Sequence, residues 1–216
     1  MKFTSLGILA AVLAMGFMRP VEIQSGAADS LAPLLPSDHE IEVARSAGPA
    51  AVANAATIYV LRRGTGFVVA QKGGNGFACL VERSRPDSFE PECFDAEGSE
   101  TILPPILDAA KLREQGVRED AVSKAQADGF ASGKYRAPRR AGVTYMLSRE
   151  NRVFTGEKVI SYPPHVMFFA PYLKNSEIGA DMKDPNLPWV LNEGSPHAYM
   201  IMVVRDAAVE GGEHKY

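Results

Sequence analysis

The sequence has few of the residues and patterns that identify a specific chemistry. Its 216 residues include two cysteines, four histidines and one tryptophan. It contains no G-x-S-x-G elbow for a nucleophilic serine, and no phosphate-binding loop with its Lys-Ser or Lys-Thr pair. The histidines have neither the H-x-x-x-H nor the H-x-H spacing of common metal sites. We therefore expect neither a metal ion nor a cofactor.

A strong charge of either sign is also missing. The formal net charge is -3 at pH 7, whereas nucleic-acid binding normally requires a clustered basic surface. The local basic run at residues 134–140 surrounds Pro138 and is interpreted as a solvated connection. A phosphate cradle requires a helix that begins directly after its glycines. The glycines of residues 64–66 and 73–76 are not followed by a predicted helix and are interpreted as turns. We expect no nucleic acid among the partners.

The N-terminal segment has the pattern of a secretory signal peptide. Lys2 precedes an uncharged run at residues 6–17, and small residues follow that favour cleavage after Ala27 or Ala28. The run is shorter than the roughly 20 residues that span a bilayer. An uncleaved anchor and a buried core helix are the alternatives to a cleaved leader over residues 1–28. We expect an exported protein, periplasmic or extracellular, that does not span a membrane after cleavage.

The remaining chain is predicted to form one domain. Two prolines in residues 29–36 indicate an extended tether. Residues 37–209 are long enough for a single domain with its own core, and residues 210–216 are expected to be a frayed tail.

Cys79 and Cys93 are predicted to form a disulfide, because an exported chain passes through an oxidising compartment. Closing a loop of about 15 residues is worth about 3 kcal/mol in the chain-entropy model. The alternative is a catalytic thiol. Neither cysteine has a histidine nearby in sequence or a C-x-x-C spacing to lower its pKa, although a partner close in space stays open.

The pattern of helix and strand signals favours an α+β fold. Ser37 and Glu40 have the spacing of a capping box, which predicts a helix ending at Gly48. Three strands follow at residues 57–61, 66–70 and 77–82, read as a β-meander, with Asn75-Gly76 as a hairpin turn whose flanking strands pair antiparallel. A polar loop is expected after Cys93. A central pair of short helices at 104–115 and 117–128, and strands at 142–147, 165–170 and 198–205, complete a mainly antiparallel sheet with an N-terminal helix.

Two histidines are the least ordinary features. Tyr162-Pro163-Pro164-His165 and Glu193-Gly194-Ser195-Pro196-His197 each place an imidazole at the start of an apolar strand. Histidine serves as acid, base or ligand near neutral pH, although a structural role is the favoured interpretation here. The two imidazoles lie at one sheet edge only if their strands run in the same direction, because antiparallel neighbours place them at opposite ends.

Three stretches carry a resemblance: EIEVARSAGPAAVANAATIYVL (residues 40–61), NGFACLVERS (residues 75–84) and PHVMFFAPY (residues 164–172). Together they resemble a family of uncharacterised exported bacterial proteins. The resemblance implies a secretory origin and a shared domain, and it supplies no activity and no functional residue.

These observations lead to two functional hypotheses. The first is a non-enzymatic exported domain that binds a small ligand or a cell-envelope partner near His165 and His197. The alternative is a hydrolase that uses His165 or His197 with Glu193 or Tyr162. It requires those side chains to lie within hydrogen-bond reach, or one water apart, inside a pocket.

Overall fold

The computed structural model describes residues 31–181, 183–184 and 187–204. The predicted leader (residues 1–28), the first two tether residues and the predicted tail lie outside the described residues. The helices are α1 (Ser37–Ser46), α2 (Ala50–Ala53), α3 (Ala96–Thr101), α4 (Leu103–Glu114), α5 (Glu119–Ala131) and α6 (Asn175–Ile178). The strands are β1 (Thr57–Arg62), β2 (Gly66–Gln71), β3 (Ala78–Glu82), β4 (Glu90–Phe94), β5 (Val143–Met146), β6 (Arg152–Phe154), β7 (Val159–Ser161), β8 (His165–Phe169), β9 (Trp189–Leu191) and β10 (Tyr199–Val203).

Eight strands form one sheet in the order β2-β1-β3-β4-β5-β8-β10-β9, and β6 with β7 forms a separate hairpin. All neighbours in the large sheet are antiparallel except β1 and β3, which are parallel. The predicted α+β class, with one domain, a mainly antiparallel sheet, an N-terminal helix and central helices, is therefore confirmed.

The prediction of a hairpin at Asn75-Gly76 was wrong. β1 lies between β2 and β3, so the two strands that flank this dipeptide are not neighbours and the three strands are not a meander. The Asn75 side chain instead accepts a hydrogen bond from Phe77 N–H and donates one to the Val52 carbonyl. Asn75-Gly76 thus turns the chain in a longer crossover, held by contacts with α2 that a local turn pattern does not contain.

The predicted capping box was also wrong, although α1 does begin at Ser37. Pro36 is the N-cap, and no side chain caps the helix. The Glu40 side chain is fully buried and accepts a hydrogen bond from the backbone N–H of Leu61. Ser37 accepts from Arg62 instead. Both side chains of the expected box therefore attach α1 to β1, because tertiary contacts outweigh local capping here.

One face of the sheet packs against α1. Its core contains Val43, Ala44, Ile58, Val81 and Phe89 together with the two cysteines. Cys79 and Cys93 are directly opposite each other in the β3–β4 pair, and they form the predicted disulfide.

The opposite face supports α4, α5 and the β6–β7 hairpin. Its core includes Leu80, Phe94, Met146, Met167 and Ile201, with Ile106 and Trp189 packed against it. The hairpin docks at the start of β4 through two backbone hydrogen bonds between Phe89 and Arg152. This second face carries a large cavity.

Candidate functional site

A cavity of about 990 Å³ lies between the second face of the sheet and the elements that cover it. Small-molecule sites commonly measure about 300–1,000 Å³ and are lined mostly by apolar groups. The roof comes from α4, α5 and the β6–β7 hairpin, including Ile106, Phe130 and Val153. The floor crosses β4, β5, β8, β10 and β9. Five strands at a spacing of about 4.8 Å give a floor about 19 Å wide, which suits a small or medium-sized organic molecule.

The strand register explains which side chains face the cavity. Successive residues of a strand point to opposite faces. Met146, His165 and Val203 occupy one row across β5, β8 and β10, while Met167, Ile201 and Trp189 occupy another. All six line the cavity. An apolar floor with one imidazole is the result.

A cluster of three glutamates forms one wall. Glu82 is paired with Glu90 across β3 and β4, and Glu92 lies two residues further along β4 on the same face. All three line the cavity, and the residues Glu90 and Glu92 are 8% and 6% exposed. Acidic side chains are rarely buried to this extent unless they are paired. We call Glu82, Glu90 and Glu92 the acidic wall.

Arg113 is the one described guanidinium that both lines the cavity and lies beside the acidic wall. Arg113 donates two hydrogen bonds to Glu119, of 3.0 and 2.9 Å, and its third nitrogen, Nη1, lies 3.8 Å from Glu82 Oε1. The pKa of Arg113 is raised, because its bonds to Glu119 and the charge of Glu82 outweigh the effect of burial. Arg113 therefore stays charged. Two of its nitrogens donate to Glu119, and the buried Nη1 has no hydrogen-bond partner among the described residues.

The three glutamates differ in their partners. Ser84 donates to Glu90 from its hydroxyl, at 3.0 Å, and from its backbone N–H. Glu82 faces Arg113. Within the described part of the chain, the Glu92 carboxyl has neither a hydrogen-bond donor nor a cation as a partner. Glu92 is therefore a buried, unpaired carboxyl that faces the cavity.

Burial raises the pKa of each glutamate in this wall. Burial and the charge of Glu82 raise the pKa of Glu90 to about 7. Burial and the charges of Glu82 and Glu90 hold the pKa of Glu92 well above its usual range. For Glu82, burial raises the pKa more than Arg113 lowers it. Three carboxyls in one low-dielectric site cannot all ionise cheaply, and such perturbed groups in a cavity indicate a functional site.

His165 and Tyr162, which the sequence analysis names as possible partners, lie together at this cavity. Their rings meet edge to face with centroids 4.9 Å apart, and both line the cavity. His165 Nδ1 lies 2.9 Å from the Pro163 carbonyl, which can only accept, so Nδ1 carries the proton. Burial lowers the pKa of His165. At neutral pH the ring is uncharged, and Nε2 is a proton acceptor.

His197 lies on the cavity wall far from His165. β8 and β10 are antiparallel neighbours: His165 is opposite Val203, whereas Tyr199, two residues after His197, is opposite Phe169. The five residues of β8 alone span about 14 Å between these ends. His197 stacks on Phe130 with ring centroids 5.1 Å apart, and burial lowers its pKa. The structure therefore does not bring the two imidazoles together as a catalytic pair.

Glu193 is not brought to the cavity either. Its carboxylate is exposed and accepts hydrogen bonds from the backbone N–H and the side chain of Asn175, at 2.8 and 3.2 Å. These bonds attach the turn before β10 to the start of α6. Glu193 is thus a structural residue of a surface turn, and not a partner for His165.

The sequence pattern does not predict the acidic wall, because it predicts no strand between Glu82 and Cys93, where β4 begins. The signal was present in the two cysteines. If Cys79 and Cys93 are directly opposite in an antiparallel pair, the period of two places Glu82, Glu90 and Glu92 on the face away from both sulfurs. Arg113 carries no comparable signal, since its approach depends on how α4 crosses the sheet.

Two further findings limit the interpretation of the described residues. No three His, Cys, Asp or Glu side chains among them are grouped so as to hold a metal ion. None of the helices formed by these residues has the length and apolar character needed to cross a membrane.

Comparison with protein-family models, with curated proteins and with solved structures finds no match to this chain. The site therefore has to be interpreted from its own chemistry. It is a partly open, largely apolar slot with one acidic wall, one neutral imidazole beside a tyrosine, and the lone tryptophan of the sequence on its floor.

Proposed function

We propose that the protein is an exported binding protein that holds a small, largely apolar ligand in the cavity over the sheet. The observation that carries the proposal is the cavity itself: about 990 Å³, with an apolar floor and buried polar groups concentrated at one wall. Such a combination is typical of ligand sites.

Export is supported by the pattern of residues 1–28 and by the Cys79–Cys93 disulfide, which persists in oxidising compartments such as the periplasm or the exterior. The resemblance to uncharacterised exported bacterial proteins agrees with this location. A small ligand is favoured over a cell-envelope partner at this site, because the apolar surface lies beneath α4, α5 and the β6–β7 hairpin, where a protein surface has no access.

The direct test is binding of a neutral apolar dye, phenylnaphthylamine, whose emission rises in apolar surroundings. Trp189, the single tryptophan of the chain, lines the cavity and transfers energy to a dye bound there. We expect saturable binding of one dye per chain. Ile106→Trp narrows the slot from the roof and should weaken binding, whereas Ala125→Trp, on the exposed side of α5, should not. Binding without saturation, or equal affinity in both variants, would refute the proposal.

A second candidate function is hydrolysis at the same cavity. It is favoured by one observation: neutral His165 has Nε2 as a proton acceptor beside the Tyr162 ring. In this form of the hypothesis His165 is the general base for a water molecule. Turnover of short-chain nitrophenyl esters by the wild type, abolished in His165→Ala and retained in His197→Ala, would support hydrolysis. Equal, background-level turnover in all three proteins would reject it.

A further inference from the structure

The acidic wall contains more buried carboxyls than the described residues provide with partners. The wall consists of three carboxyls, whereas Arg113 is the only described lysine or arginine among the residues that line the cavity. Arg113 is already bound to Glu119 through two hydrogen bonds. A buried carboxyl without a partner either holds its proton or carries an uncompensated charge, so a bound cation is the partner that would let such a carboxyl ionise.

Glu92 marks the position of the missing partner. It is 6% exposed, faces the cavity and has no donor or cation as a partner among the described residues. Glu90, by contrast, accepts hydrogen bonds from Ser84, and Glu82 lies beside Arg113. A donor inserted next to Glu92 would contact an oxygen that no protein group uses.

The floor that leads away from Glu92 is apolar. In the continuing register Glu92 is followed by Met146 on β5, then His165 on β8 and Val203 on β10. Burial keeps the imidazole of His165 neutral at neutral pH, so this row offers no second cation. A ligand lying across the strands would have its polar end at Glu92 and its apolar part over Met146 and Met167.

We propose that the ligand of this cavity is an apolar molecule with one primary amine, whose ammonium group is bound by the Glu92 carboxylate. This inference rests on the proposed binding function and specifies its ligand class. An ammonium donates up to three hydrogen bonds, and its positive charge favours release of the Glu92 proton to solvent, so that the two groups form an ion pair. A carboxylate ligand is disfavoured, because it would enter beside three glutamates and would have to compete with Glu82 for Arg113 Nη1, which lies 3.8 Å from Glu82 Oε1 and has no hydrogen-bond partner among the described residues.

The experiment compares three ligands with one carbon skeleton: decylamine and decanoate below their micelle concentrations, and decanol below its solubility limit. They compete with phenylnaphthylamine for the wild-type full chain. We expect decylamine to displace the dye at a concentration at least about ten-fold lower than decanol, which corresponds to one charge-assisted hydrogen-bonded pair. Decanoate should be the weakest of the three.

Two variants identify the carboxylate. Glu92→Gln removes the charge with little change of shape, and it should bring decylamine and decanol to similar displacement concentrations while dye binding persists. Glu42→Gln removes an exposed carboxylate of α1, whose side chain is 77% exposed, on the other side of the sheet. It should keep the amine preference.

The outcomes separate the two proposals. If the dye does not bind, the binding function itself fails. If the dye binds but the three ligands displace it equally, or decanoate is preferred, the amine inference fails and the binding function stands. If the preference for decylamine survives in Glu92→Gln, Glu92 is not the recognition group and the inference is overturned. The wild-type series decides the ligand class even if the variant folds poorly.

Discussion

The acidic wall predicts that folding stability falls as the pH rises from about 4.5 to about 7. Glu90 is the group for which the effect can be worked out. Its pKa is raised from 4.5 to about 7, mainly by burial and next by the charge of Glu82. An acid with a raised pKa holds its proton more tightly in the folded state. Below pH 4.5 the protonated Glu90 therefore makes its full contribution to folding stability, and this contribution is lost as the pH rises through the folded pKa.

The magnitude follows from the two pKa values. A difference of about 2.5 pH units, at about 1.4 kcal/mol for each unit, gives about 3 kcal/mol for Glu90 alone. Burial lowers the pKa values of His165 and His197, which makes stability rise with pH toward 6.5 and opposes the trend. The pH dependence of the total folding stability therefore combines contributions of opposite sign. The difference in stability between the wild type and a Glu90 variant isolates the contribution of Glu90.

The assay is urea unfolding at intervals from pH 4.5 to pH 8 for the wild type and Glu90→Gln. The glutamine keeps an oxygen that accepts from Ser84 but does not ionise. We expect the two proteins to be about equally stable near pH 4.5, and Glu90→Gln to be more stable by about 3 kcal/mol above pH 7. Glu42→Gln should follow the wild type throughout. A difference between the wild type and Glu90→Gln that stays constant over this range, or changes sign, would refute the reasoning.

Three further predictions concern the frame around the site. Replacing Cys79 and Cys93 together by alanine should lower the free energy of unfolding by about 3 kcal/mol, because the disulfide closes a loop between cysteines that are 14 residues apart. A double variant as stable as the wild type in urea would contradict this prediction. Glu40→Ala leaves the Leu61 N–H without its buried acceptor and should cost about 1–3 kcal/mol, whereas Glu40→Gln, which can still accept, should cost less. Thermal unfolding of both variants checks the order. Gly129→Ala places a methyl group against the Tyr135 ring, which is held by a 2.7 Å hydrogen bond to Asp108, and should cost about 1–3 kcal/mol. The added methyl group of Gly74→Ala meets no atom within 4 Å, and this variant is the control. Equal melting temperatures of Gly129→Ala and Gly74→Ala would contradict the prediction and show that the Tyr135 ring moves aside without cost.

The elements with strong local patterns were predictable from the sequence. Helix α1 begins at Ser37 as expected, and the strand at Thr57 and the strand at His165 begin at the predicted residues. The disulfide followed from export and the count of cysteines. Each of these depends on composition or periodicity within a short window, which the sequence contains in full.

Strand β4 was missed for a physical reason. Glu90, Pro91 and Glu92 all disfavour strands, and Pro91 lacks a backbone donor. It is tolerated because β4 pairs with β5 only at Cys93 and Phe94, which leaves Pro91 without a β5 partner. A residue-by-residue pattern cannot predict that Pro91 is tolerated, because its tolerance depends on how far the neighbouring strand β5 extends.

The functional site was only partly predictable for the same reason. His165 and Tyr162 are close in sequence, and they meet at the cavity. The relation between His165 and His197 depends on the direction of β8 relative to β10, which neither strand's own sequence reveals. The acidic wall joins β3 and β4 to Arg113 of α4, and its enclosure depends on tertiary packing.

The central claim is that the cavity binds an apolar amine, and Trp189 allows this to be measured without a label on the protein. A decylamine with a terminal bromine atom, which quenches tryptophan on contact, is titrated into the wild-type chain. Trp189 lies on the cavity floor in the row of Met167 and Ile201. We predict saturable quenching that an excess of unbrominated decylamine reverses. Quenching that rises linearly with concentration, as for a free tryptophan derivative, would contradict the account.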